Sequence, residues 1–305
     1  MLSQHVTAYL EVRRALGFDL HESERLLRQY AEFATARGDS HVRATTALDW
    51  CAQAGTLGQR QRRLRRVVLF ARYLRAEDPV HEVPPGGIYP RVPRQIMPYV
   101  YTPEEASRLV GEAALLLPTG TIRPHSAAAF FSLLFATGMR VSEALALQLD
   151  DVTDDGLVIR RTKFRKMRFI PLHETAREGL AHYLDLRLRR AGKPPQHVFL
   201  NFRGDPLTYR AALDAFSTVR RAAGLESRGR TRPRIHDIRH TFAVRALEAC
   251  PDGRDRIAQH MLALTTYLGH SNIADTYWYL QATPKLMRDI ADACEAYFRK
   301  KGARS

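Results

Sequence analysis

Acidic residues are scarce in this 305-residue chain: 32 Asp and Glu face 47 Lys and Arg, leaving a formal charge of +15 and a pI near 10.2. A polyanionic partner is the first expectation. Cysteine is scarcer still. Cys51, Cys250 and Cys294 are the whole complement and show no CxxC or CxxH spacing, which argues against a disulfide framework and predicts reduced thiols in a cytoplasmic protein. No positive segment followed by an apolar block opens the chain. Its longest apolar run, Ala127 to Ala136, is interrupted by Ser132 and is too short to span a bilayer, so a soluble protein with no membrane partner is expected. There is no Walker-type glycine loop, no carboxylate cluster to hold a metal, no internal repeat and no low-complexity tract. Neither a nucleotide nor a metal cofactor is therefore predicted.

What the chain does contain is helical periodicity in two blocks. Residues 3–80 read as all helical: Val6, Tyr9, Leu10, Val12 and Leu16 form one apolar stripe, Leu26, Leu27, Tyr30 and Phe33 a second, and Ala47, Leu48 and Trp50 mark a third helix. A fourth, Thr56 to Ala76, carries Leu64, Val67, Val68, Leu69, Tyr73 and Leu74 on one side. Its first turns hold Arg60, Arg62, Arg63, Arg65 and Arg66, five arginines in seven residues. An apolar stripe backed by arginines suits docking in a DNA groove. The competing reading is a merely solvated face, and the lack of interleaved Glu weighs against a self-neutralised one.

Six prolines and Gly86-Gly87 crowd residues 78–98, which excludes a regular helix and predicts a stiff linker over 81–100. An extended residue spans up to about 3.3 Å, so such a linker can pass around a duplex. The second block opens with Thr102-Pro103-Glu104-Glu105, a capping-box start. A buried helix over 125–137 ends at Gly138. Leu157 to Arg160 and Arg168 to Leu172 read as a β-hairpin with the basic connection 161–167. Helices are expected from Glu174 to Arg190, from near Thr208, and through most of 236–300.

Three separated segments concentrate chemistry. Arg140 lies in TGMRVSE, with Glu143 three residues on. Taken alone, that is a structural ion pair. Arg239, in HDIRH, offers a second guanidinium, and two such forks can embrace the non-bridging oxygens of one phosphate, where phosphoryl transfer gathers charge. His236 and His240 have the i, i+4 spacing of a metal pair. The residue after His236 is Asp rather than the Glu of a zinc-protease helix, and an arginine between the two histidines opposes a cation, so the metal reading is rejected. His270 follows Gly269, and Tyr279 lies nine residues further on. A phenol with pKa about 10 needs a base or a positive field, but it can exchange one phosphoester for another without ATP.

Arg140 in TGMRVSE, a hairpin lysine, His236 and Arg239 in HDIRH, and LGH followed nine residues later by Tyr279 together resemble the tyrosine recombinase (phage integrase) family. The resemblance is close over 102–284 and architectural over the helical N-terminal block. It implies a mainly α fold with a small β-hairpin in two domains. A helical, SAM-like core-binding DNA-binding domain spans 1–80, and the linker 81–100 leads to a mixed α+β catalytic domain at 101–284. A C-terminal helix at 285–305 is implied to dock on a neighbouring protomer. The resemblance also implies roles. Tyr279 attacks the scissile phosphate to leave a 3′-phosphotyrosyl link, while Arg140, Arg239 and His270 hold the phosphate. Lys163, with Lys166 as alternative, protonates the 5′ leaving oxygen, and His236 takes or relays the nucleophile's proton. Tyr277 is the rival nucleophile; on a helix it points about 200° away from Tyr279. DNA contacts are expected from the five helix arginines and from Arg161, Arg165 and Lys166 in the hairpin connection. The implied function is integration, excision or transposition of DNA by site-specific recombination. The partners are duplex recombination sites, a homotetramer assembled from free monomers, and in some systems sister recombinases, all in the cytoplasm on the nucleoid. Two alternatives stay open: a type IB topoisomerase, and a DNA-binding factor without catalysis.

Overall fold

Local signals account for most of the helices, and two places show where they run out. The computed structural model describes residues 2–18, 20–90, 98–160, 167–190, 195–228, 231–249 and 254–269. The chain divides into two units, Met1–Gln95 and Ile96–Ser305.

The first unit contains α1 (Leu2–Ala15), α2 (His21–Ala36), α3 (Ala44–Ala52) and α4 (Leu57–Glu77). Their apolar stripes meet in one core around Tyr30, Trp50 and Phe70, with the Tyr30 and Trp50 rings 5.6 Å apart. Thr56 starts α4 by accepting the Gln59 N–H at 3.3 Å. α3 has no such cap of its own, so its first N–H groups must be met from elsewhere. Glu82 supplies the missing oxygen to Ala44 N–H at 2.7 Å, while His81 Nδ1 accepts Val42 N–H at 3.1 Å. Val83 and Tyr89 pack on the same core. The proline-rich stretch expected as a linker from 81 is thus, as far as Pro90, part of the first unit. The need for caps 38 residues away holds it there.

The second unit contains α5 (Pro103–Ala113), α6 (Arg123–Thr137), α7 (Val141–Ala146), a 3₁₀ turn at Leu149–Asp151, β1 (Gly156–Ile159) and β2 (Arg168–Pro171). It continues with α8 (Glu174–Arg190), α9 (Tyr209–Ala222), α10 (Asp237–Glu248) and α11 (Arg254–Leu268). The capping box at α5 forms both ways: Thr102 Oγ1 accepts Glu105 N–H at 3.2 Å and Glu105 accepts Thr102 N–H at 2.9 Å. β1 and β2 pair antiparallel, Gly156 opposite Pro171 and Ile159 opposite Arg168. They are the one sheet among the described residues, so the fold is mainly helical with a small hairpin, as the sequence predicted.

The core gathers around α6, whose Phe130, Phe131, Leu133 and Leu134 are buried, and α10 packs against it. Gly138 ends α6 at φ 60°, and a Cβ there would come within 2.4 Å of the Phe242 ring on α10. Only glycine permits both the left-handed turn and this approach. The consequence is that Arg140 enters α7 directly beside α10. Cys51 is a buried free thiol; Cys250 and Cys294 lie outside the described residues. No described helix is long and apolar enough to cross a membrane.

Candidate functional site

Residues from three distant segments meet at the C-terminal end of α11. Arg239, in the first turn of α10, is only 3% exposed. Its Nη1 donates to Gly138 O at 2.8 Å and its Nη2 to Leu268 O at 2.6 Å. Arg140, at the N-cap of α7, donates from Nη2 to the next carbonyl, Gly269 O, at 2.9 Å. The two guanidiniums therefore grip consecutive carbonyls, where the last turn of a helix carries partial negative charge. Arg140 stays 28% exposed, so its remaining donors are open to a ligand, whereas Arg239 is largely enclosed by protein.

The Arg140–Glu143 pair weighed as a bare ion pair is present at 2.7 Å, yet it is part of something larger. Glu143 is 3% exposed and also accepts both Nη atoms of Arg168 from β2, at 2.8 and 2.7 Å. In addition it takes the N–H of Arg140 at 2.8 Å, the reach-back half of a capping box. Burial pushes the Glu143 carboxyl up, but the Arg168 hydrogen bonds and charge, joined by Arg140, bring it down to about 2. Sequence reasoning missed Arg168. A lone arginine at the start of a strand gives no local sign of a carboxylate 25 residues back.

His236 stands at the N-cap of α10, on the rim of the site and open to solvent. Its pKa is lowered, first by the protein packed around it and then by the positive charge of Arg239, with Arg140 contributing. Its ring meets His240 edge to face at 4.8 Å. Asp237, fully buried, is held by Arg234 at 2.8 Å, which steadies the first turn of α10 between His236 and Arg239. Among the described residues no group of three or more His, Cys, Asp or Glu is placed to hold a metal. Tyr267, which the sequence did not single out, stacks on Phe242 at 5.4 Å. Burial pushes its phenol up to about 12, against the opposing charges of Arg168 and Arg239; it is a poor nucleophile.

The structure thus brings Arg140, Arg239 and His236 together. Lys163, His270 and Tyr279, with Arg161, Arg165, Lys166 and Tyr277, lie outside the described residues. The arginines of α4 divide. Arg60 donates to Ala54 O at 2.9 Å and Arg63 to Trp50 O at 2.7 Å, with the Arg63 guanidinium 4.5 Å over the Trp50 ring. Arg62 and Arg66 face Glu22 of α2 at 3.5 and 3.3 Å, while Arg65 is exposed. The acid absent from the arginine-rich turns of α4 is supplied in part by a neighbouring helix.

A family model, the phage integrase family, matches residues 100–285, a span that includes every one of these three segments. A protein of Sinorhizobium fredii named integrase/recombinase y4rB is 37% identical over 300 residues, covering 94% of this chain and 94% of its own.

The chain belongs to the phage integrase family.

As a member it is a DNA recombinase, an enzyme of strand transfer. The tyrosine recombinase XerC of Bacillus subtilis is 31% identical over 230 residues, covering 72% of this chain and 69% of its own. The phage integrase fold is shared more widely than sequence. A lambda integrase tetramer bound to a Holliday junction superposes with a TM-score of 0.63 at 16% identity, over 90% of this chain and 76% of that one.

Proposed function

We propose that this recombinase cleaves and rejoins DNA at specific sites through a 3′-phosphotyrosyl intermediate on Tyr279. The observation that carries the reading is the meeting of Arg140 and Arg239 on the consecutive carbonyls of Leu268 and Gly269, immediately before His270 in sequence, with His236 at the same rim. A fixed pair of guanidiniums costs no reorganisation when a phosphate gathers charge between its oxygens. Arg140, with donors to spare, contacts the non-bridging oxygens. Arg239, its fork partly used on backbone, supplies buried positive charge and fixes the frame. His236, whose surroundings favour its neutral form, takes the phenol proton as the Tyr279 oxygen bonds to phosphorus. The P–O5′ bond breaks and Lys163, or Lys166, gives its proton to the leaving oxygen. Attack by a 5′-hydroxyl of a partner duplex reverses each transfer and completes exchange.

The N-terminal unit binds the duplex through Arg65 and its neighbours, with Arg161, Arg165 and Lys166 adding contacts from the hairpin connection. Exchange between two duplexes calls for four protomers, as in the lambda integrase tetramer on its junction, and residues 285–305 are assigned to the contact between neighbours. Deleting them is expected to abolish cooperative assembly while DNA binding persists; full recombination by the truncated chain is incompatible with that assignment.

The deciding experiment is covalent trapping on a nicked duplex taken from DNA flanking the gene, comparing wild type with Tyr279→Phe and Tyr277→Phe. An adduct lost only in Tyr279→Phe establishes nucleophile and chemistry together. Loss only in Tyr277→Phe moves the nucleophile by two residues. Tight binding with no adduct means a DNA-binding factor, and relaxation of supercoils without a partner site means a topoisomerase.

A further inference from the structure

Glu143 has four acceptor positions, and all are filled. Oε1 takes Arg140 Nη1 at 2.7 Å and Arg168 Nη1 at 2.8 Å. Oε2 takes the Arg140 backbone N–H at 2.8 Å and Arg168 Nη2 at 2.7 Å. The two guanidiniums do not share the carboxylate equally. Arg168 engages it as a fork, through both oxygens, while the Arg140 side chain touches one oxygen and turns its other Nη to Gly269 O. The plane of the carboxylate is consequently set by Arg168, and the direction of Arg140 follows from it.

Arg168 is poorly placed to meet DNA itself. Its side chain is 10% exposed, and its Nε has no hydrogen-bond partner among the described residues. It lies flat against Gly269, where a Cβ would come 2.8 Å from Nη1 and 3.4 Å from Cδ. Arg168, Glu143, Arg140 and Gly269 therefore close a ring of contacts between β2, the start of α7 and the end of α11. A buried arginine whose fork is spent on one carboxylate, beside a second arginine that needs the same carboxylate, is a competitor. Without it, Glu143 is free to draw both Nη atoms of Arg140 onto itself, away from any other ligand. With it, two cations share one carboxylate and a positive charge is left over at the site.

We infer that Arg168 is a positioning residue for Arg140: by occupying Glu143 as a fork, it keeps the Arg140 guanidinium turned toward the scissile phosphate. The inference rests on the reading of Arg140 as a phosphate contact.

The test measures single-turnover adduct formation at saturating protein for wild type, Arg168→Lys and Arg168→Gln, each with DNA affinity from gel shift. The assay is repeated on a duplex whose scissile phosphate is replaced by a neutral methylphosphonate. Misplacing a catalytic contact by about 1 Å can cost roughly 100-fold, so Arg168→Gln is expected to lose about that factor on the phosphate substrate with its DNA affinity unchanged. Arg168→Lys, which keeps the charge but lacks the fork, falls between. On the methylphosphonate, where there is no anionic oxygen for Arg140 to neutralise, most of the difference between wild type and variant disappears. Cleavage by Arg168→Gln at the wild-type rate overturns the inference, and so does an equal loss on both substrates, which marks general damage to the fold. Either result leaves the phosphotyrosyl reading intact, whereas absence of an adduct with the wild-type chain removes that reading and the inference together.

Discussion

Two sets of arginines in this chain have the same side chain and opposite circumstances. On α4, Arg62, Arg65 and Arg66 lie at the surface, and Arg62 and Arg66 face the exposed carboxylate of Glu22. Their attraction for an anion is long-ranged, readily screened by salt and indifferent to sequence. Around the end of α11, Arg140, Arg168 and Arg239 are mostly buried, and each is tied by hydrogen bonds to a carboxylate or a carbonyl. There the cost of desolvating a guanidinium has already been met by folding, and what remains is direction. Charge at a surface gathers DNA; charge fixed in a frame can stabilise one transition state.

The sharpest way to break this comparison is at the frame. Arg140→Ala is expected to slow adduct formation by about 100- to 1,000-fold while gel-shift affinity holds; a parallel fall in both would put Arg140 among the gathering charges instead. Next comes pH. The Glu143 carboxyl is depressed from the usual 4.5 to about 2, so its stabilising contribution is complete above about pH 4.5 and is lost as pH falls toward 2. A shift of that size is worth on the order of 3 kcal/mol. Urea midpoints taken down this range are expected to drop steeply in wild type and much less in Glu143→Gln, which starts lower at neutral pH. Equal acid limbs for the two proteins are the contrary result.

Smaller effects separate the arginines of α4 from one another. Arg63 is anchored on Trp50 by a hydrogen bond and a ring contact, so Arg63→Ala is expected to cost about 1–2 kcal/mol of stability, read from thermal unfolding. Arg65→Gln leaves stability alone and lowers the slope of log affinity against log salt by about 0.9, the signature of one phosphate contact. The smallest effect is Glu22→Gln. Freed from that carboxylate, Arg62 and Arg66 raise DNA affinity modestly at low salt and negligibly at high salt. An affinity gain that persists in high salt does not come from these surface charges.

How much was legible follows the same divide between local and distant contacts. The capping box at Thr102 and the stop at Gly138 were readable because each involves residues a few positions apart, and the strands read at 157–160 and 168–172 because two β-rich runs flank a short connection. Arg140, His236 and Arg239 were readable as candidates because each sits in a short motif. Their sharing of Leu268 and Gly269 was not, nor was the competition between Arg168 and Arg140 for one carboxylate, because those partners lie 25 to 129 residues apart. The same limit hid Glu82, which caps a helix 38 residues before it, and Glu22, which answers Arg66 from 44 residues away. It also hid the burial of Arg239, since nothing in HDIRH distinguishes a guanidinium that faces solvent from one enclosed by α6 and α11.

The sequence by itself determined that this protein is basic and mainly helical, and where several of its helices start or stop, because propensity, capping and apolar spacing act over a few residues. It also named the residue types able to handle a phosphate. Only the tertiary structure decided which guanidiniums are fixed, which are screened and which carboxylate stands between them. Burial and hydrogen-bond direction set the worth of a charge, and both arise when distant segments are packed together.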